Sequence, residues 1–131
     1  MIVLPVTLTA AASAALINLW LATRVGQLRG RLKVVHGDDN GGPLTRRMRA
    51  QLNFVENTAL VLILIAAIEL ARPGHMWLAL VAGVYMLARV AHGVGMDAET
   101  GTKPRQIGVI VTMLTQLGLA VVAVLIAANV M

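Results

Sequence analysis

The chain contains no cysteine, so a disulfide framework, a thiolate metal site and a cysteine nucleophile are all excluded. Aromatic residues are almost as scarce, with two Trp, one Tyr and one Phe. Acidic residues number six against eleven Lys and Arg, for a net charge of +5, and the pI lies near 11.2. A basic balance of this kind can signal nucleic acid, but here the cations fall between apolar runs and not on an aromatic-studded polar surface. Nucleic acid is therefore not an expected partner. The seven methionines follow no spacing that suggests a metal or haem site, and no metal is expected. What the chain has in excess is hydrocarbon: 58% of its residues are hydrophobic and only 13% charged, with a mean hydropathy of +0.79. Such a composition belongs to a polytopic membrane protein.

Four apolar runs, at about residues 2–23, 50–71, 76–94 and 107–130, are each long enough to cross a bilayer as a helix. They predict an all-α integral membrane protein, a four-transmembrane-helix up-down bundle forming a single domain over residues 1–131. The first run lacks a basic leader and is too long for a secretory signal, so it reads as an uncleaved span. Within it, Ala10/Ala14 and Ala11/Ala15 are small-residue pairs suited to close helix approach, and Asn18 is expected to bond another helix. The long loop after it carries Arg24, Arg29, Arg31 and Lys33, then a turn-rich segment from His36 to Pro43. That basic excess, continued by Arg46, Arg47 and Arg49, puts this loop in the cytoplasm and both termini outside. At the other end of the second run, Glu69 and Arg72 are spaced as a surface ion pair of little energetic weight.

The second run is preceded without a break by Arg46-Arg47-Met48-Arg49-Ala50-Gln51-Leu52-Asn53-Phe54-Val55-Glu56-Asn57. On one helix, Arg49, Asn53 and Glu56 share a face, and a rise of about 1.5 Å per residue carries Glu56 roughly 13 to 15 Å beyond Arg46 and Arg47, inside the hydrocarbon. A charge at that depth costs from about 2.5 to more than 10 kcal/mol unless it faces protein or a wet cavity. Arg89 and His92 form a second stripe on the third run. Arg105, Val109, Thr112 and Gln116 form a third on the fourth run. All lie in the cytoplasmic half, so they are expected to face one another or a neighbouring subunit. The result is a basic cleft with one carboxylate, suited to a small anionic ligand gripped by guanidinium forks. The same residues also allow a plainer arrangement, a buried Glu56–Arg89 pair that locks the second helix to the third. For His92 alone, an interhelical hydrogen bond is the plainer role.

The segment from Arg49 to Asn57 resembles the R-A-[HQ]-x-N-x-x-E signature of the MAPEG superfamily, the membrane-associated proteins in eicosanoid and glutathione metabolism. Arg89-Val90-Ala91-His92 resembles that family's R-x-x-H segment, and Pro104-Arg105 resembles its fourth-helix arginine. The pattern is that of a bacterial-type member similar to microsomal glutathione transferase, which implies a multi-pass protein of the cell (inner) membrane. The resemblance further implies a homotrimer binding glutathione as co-substrate between subunits. Arg49, Asn53, Glu56, His92 and Arg89 would serve as contacts, with Arg29 or Arg31 from the first helix, and Arg105 would stabilise the thiolate. The implied activity is a glutathione transferase or peroxidase acting on lipophilic electrophiles dissolved in membrane lipid. The family's glutathione-contacting tyrosines fall here on Met96 and Val109, and Leu52 stands where prostaglandin E synthase has a further arginine. The lost tyrosines point to the alternative, a non-catalytic protein of the same fold that binds or presents a lipid.

Overall fold

A computed structural model describes residues 3–131. It contains four helices, α1 (Pro5–Leu32), α2 (Pro43–Ala71), α3 (Met76–Gly95) and α4 (Lys103–Ala127), each long and apolar enough to cross a membrane. Three of them place a proline in the first turn, where its fixed φ suits the helix and its missing N–H removes a donor that would have no partner. The start of the first span at Ile2 lies outside the described residues; Val3 and Leu4 precede the helix. The 28 residues of α1 extend about 42 Å, more than the roughly 30 Å of hydrocarbon, so its basic last turns emerge into the headgroup layer. The helix stops at Leu32, nine residues beyond the apolar run that the sequence shows. Lys33 turns left-handed there (φ 56°), and the amides of Lys33 and Val34 both fold back on the Arg29 carbonyl.

The α1–α2 turn is built around Asp39. Its carboxylate accepts hydrogen bonds from the amides of Leu44 and Thr45 and from the Thr45 hydroxyl, each at 2.8 Å, and so satisfies the first turn of α2. The carboxylate sits so close to Gly42 that a Cβ there would lie 2.4 Å from Oδ2. Only glycine leaves that space.

Consecutive helices pack as antiparallel neighbours, α1 on α2 and α3 on α4, around a core that includes Leu21, Phe54, Val61, Ile65, Leu78, Tyr85 and Leu119. Half of the apolar window of α3 is buried, against 11% for α4 and 17% for α1. The outer faces of α1 and α4 are thus left for hydrocarbon or another chain to cover. Ala10 and Ala14 are buried, Ala10 beside Ala79 and Ala82 of α3, whereas Ala11 and Ala15 face outward. Two glycines bring α3 and α4 together. A Cβ on Gly108 would stand 2.4 Å from the His92 Cβ, and one on Gly95 would stand 2.5 Å from the Arg105 backbone nitrogen.

Glu69 has a different role from the one its spacing suggests. It is buried and reaches from the end of α2 to the start of α1, accepting from the amides of Val6 (2.9 Å) and Thr7 (2.7 Å) and from the Thr7 hydroxyl (2.7 Å). A helix N-terminus at the membrane leaves amides that water does not reach, and these are satisfied by a carboxylate from another helix. Arg72 turns instead to the Met131 oxygen.

Candidate functional site

The polar residues of the three stripes divide into two groups, one inside the bundle and one at its surface. The inner group is centred on Arg89, which is 1% exposed. Its Nη2 donates to the Asn53 side-chain oxygen at 2.7 Å and its Nη1 to the Thr112 hydroxyl at 3.0 Å. The Phe54 ring lies 5.9 Å from the guanidinium carbon. Thr112 in turn donates to the Gly108 carbonyl. Below and above this layer, Gln116 Nε2 donates to Asn57 Oδ1 at 2.8 Å, Gln51 donates to Asn18 at 3.3 Å, and the hydroxyls of Thr58 and Tyr85 meet at 3.0 Å. The buried cation is therefore held by neutral oxygens that tie α2, α3 and α4 together.

The locking pair between Glu56 and Arg89 does not form. Glu56 is exposed on the surface of the subunit and, among the described residues, has no ion-pair partner. His92 is buried with its Nδ1 unpartnered, packed at the close approach to Gly108.

The outer group lies at the end of the bundle that carries the α1–α2 turn. Arg46, Arg49 and Arg105 line a cleft of about 550 Å³ together with Met96, Glu99 and the Asn40–Pro43 turn. Gly95 sets the position of Arg105 by letting the first turn of α4 rest on the end of α3. Among the described residues, Arg46 donates only to the carbonyls of Asp97 and Gly41, and neither Arg49 nor Arg105 forms an ion pair. Beside the cleft, Asp97 gathers Arg24 and Arg47, and Arg24 also stacks on Trp20 at 4.7 Å. That cluster clasps α1 and α2 to the α3–α4 connection, and the Glu99 carboxylate on the cleft lining forms no ion pair with the cleft arginines among the described residues. Asp39, on the cleft wall, is committed to capping α2.

Of the residues expected from the sequence, Arg49 and Arg105 thus meet in one cleft, while Arg89 and Asn53 meet inside the bundle. Glu56 lies outside both. Arg29 points toward the α1–α2 groove, with Nη2 3.3 Å from Met48 Sδ, and Arg31 is exposed. In the sequence Arg46 stands only as part of the basic excess before the second run. Its place in the cleft follows from the Asp39 turn, which folds the loop over the start of α2.

A comparison with sequence models of protein families matches residues 7–125 to the MAPEG family. The chain belongs to the MAPEG family. The match spans all four helices, and the four-helix multi-pass membrane architecture is the one that MAPEG membership carries. A search among curated proteins returns no match. Within this MAPEG chain, the signature residues Arg49, Asn53 and Glu56 occupy successive turns of α2, yet each meets a different environment: cleft, core and outer surface. Met96 is 92% buried and lines the cleft, and Val109 is 38% exposed.

Proposed function

We propose that this MAPEG protein binds glutathione in the basic cleft and uses its thiolate against lipophilic electrophiles, as a transferase or as a peroxidase of lipid hydroperoxides. The observation that carries this reading is the pair Arg49 and Arg105, two guanidiniums on one cleft wall with no carboxylate partner among the described residues. Glutathione carries two carboxylates that such forks can bind. Arg105 would favour the thiolate over the thiol, whose free pKa is about 8.5; each unit of depression corresponds to about 1.4 kcal/mol. The sulfur then attacks an electrophilic carbon, forming a thioether as a leaving group departs with its bonding pair, or attacks a hydroperoxide oxygen, breaking the O–O bond to give the alcohol and a glutathione sulfenic acid that a second glutathione converts to the disulfide and water.

The reading includes a homotrimer in the cell (inner) membrane, with the basic first loop in the cytoplasm and both termini outside. Its support is Glu56, a carboxylate on an exposed, otherwise apolar face of α2 among Leu52, Val55 and Leu60. Hydrocarbon is a costly neighbour for that group, and a second subunit with a ligand ammonium or an arginine is not. Asn53 would contribute its free amide N–H, and His92 and Arg89 would act by holding α3 in place.

Rapid-mixing ultraviolet absorbance of the glutathione thiolate tests the mechanism. The expected result is a thiolate signal on binding that disappears in Arg105→Ala; equal signals would remove Arg105 from the chemistry. Met96 favours a second reading, a non-catalytic lipid-binding protein of the same fold, because a thioether lines the cleft where a hydroxyl would contact glutathione. Calorimetry showing no glutathione binding at millimolar concentration would select it.

A further inference from the structure

Building on the glutathione reading of the basic cleft, we propose that Asp97 is a positioning residue that holds Arg46 as a third anion-binding guanidinium beside Arg49 and Arg105. Asp97 is the first residue beyond Met96, which caps the end of α3, and its amide donates to the Val94 carbonyl at 3.2 Å. Its remaining polar atoms reach two other helices. The carboxylate pairs with Arg24 of α1 through Oδ2 and with Arg47 of α2 through Oδ1 at 3.1 Å, while the carbonyl accepts from Arg46 Nε at 3.2 Å. Arg24 is itself fixed by donating to the Gly93 carbonyl at 3.0 Å, and Arg47 donates to the Arg24 carbonyl at 3.1 Å. With the Arg24 side chain only 12% exposed, this is not the freely solvated kind of pair that contributes little.

The side chain and the main chain of Asp97 do different things for the two arginines of α2. Successive residues of a helix point about 100° apart, and here Arg47 takes the carboxylate while Arg46 reaches the main chain. The negative charge is thus used on Arg24 and Arg47, and Arg46 receives a neutral carbonyl. Its other bond, from Nη1 to the Gly41 carbonyl, is 3.5 Å long, so the Asp97 carbonyl is the closer anchor. Arg46 is oriented without being neutralised, and its Nη2 has no acceptor among the described residues. A guanidinium on the cleft lining, held at two nitrogens with the third free, is prepared for a ligand oxygen. The pairs with Arg24 and Arg47 clamp the backbone that carries this anchor.

Charge and position predict opposite signs for one substitution. Asp97→Asn leaves Arg24 and Arg47 without their counter-charge, which by itself would tighten an anion, whereas loss of the Arg46 anchor weakens it. Calorimetry of glutathione binding to the full chain in detergent is expected to show affinity about tenfold lower in Asp97→Asn and in Arg46→Gln alike, the scale of one hydrogen bond between charged groups. The double variant should be no weaker than either single one, and the thiolate absorbance at saturating glutathione should be unchanged. Asp97→Glu, which keeps the charge, should recover most of the affinity. Equal or tighter binding in Asp97→Asn would make the carboxylate a mere counter-charge and overturn the proposal, as would additive losses in the double variant. Absence of glutathione binding by the intact chain would remove the glutathione reading alone. Exchange of the Arg46 Nε–H with solvent, followed by nuclear magnetic resonance without ligand, then decides the role of Asp97: faster exchange in Asp97→Asn than in the intact chain supports the anchor, and equal exchange overturns it.

Discussion

Arg89 donates to Asn53 across 2.7 Å, joining α3 to α2 through a buried cation and a neutral amide. Because the guanidinium is 1% exposed, it cannot turn to water when that amide is lost. Asn53→Ala is expected to destabilise the bundle by about 2–3 kcal/mol, the range for a hydrogen bond to a charged group. In an Arg89→Met background, where the charge is gone, the same change should cost less than about 1 kcal/mol. Thermal unfolding of the four proteins in one detergent checks the coupling; additive losses would show that the two residues act independently.

The α3–α4 contact predicts a sharp difference between two glycines of the same helix. Gly108→Ala places a methyl 2.4 Å from the His92 Cβ, whereas at Gly118 a Cβ meets nothing within 4 Å. The first change should cost about 1–3 kcal/mol by overpacking. The second should be neutral or stabilising by up to about 1 kcal/mol through helix propensity. Midpoints of thermal unfolding separate them.

At the start of α1, Glu69→Ala removes the acceptor for two amides and a hydroxyl, with an expected loss of about 1–2 kcal/mol by analogy with helix capping. Thr7→Val, which removes only the hydroxyl, should cost about 0.5–1.5 kcal/mol. Hydrogen exchange should be faster at the amides of Val6 and Thr7 in Glu69→Ala but nearly unchanged there in Thr7→Val.

Acidification should open the α1–α2 turn through Asp39. Desolvation acts to raise the pKa of this carboxyl, but the hydrogen bonds from Thr45 and Leu44 outweigh it and hold the carboxyl below its ordinary 3.8. A depressed carboxyl contributes stability that is fully present above the ordinary value and is lost as pH falls through the folded one. Protection of the Leu44 and Thr45 amides against hydrogen exchange, corrected for intrinsic rates, should therefore hold at pH 5 and decline below about 3.8. Asp39→Asn should flatten this dependence.

Hydropathy and helical periodicity carried much of this structure in plain view. The four helices follow from apolar run length, and Asn18, Thr112 and Gln116 could be expected to seek partners because a polar group at membrane depth has few alternatives. The choice of partner was less legible. Arg89 with Glu56 and Glu69 with Arg72 were reasonable pairs by charge and spacing. Burial on one helix face, however, depends on rotations of about 100° per residue, and these put Glu56 outside and Glu69 inside. The cleft was legible in Arg49 and Arg105 but not in Arg46, which needs the Asp39 turn. The roles of Gly95 and Gly108 had no local signal at all, since a glycine in a helix announces neither its neighbour nor its distance.

The tie between Glu69 and Thr7 joins residues 62 positions apart, and it sets an order on biogenesis. When the first span leaves the ribosome, the carboxylate that completes it has not yet been translated. Until it arrives, the leading turn must stay near the aqueous boundary or inside the translocation machinery. The first two spans are thus expected to enter the bilayer as a hairpin, not one after the other.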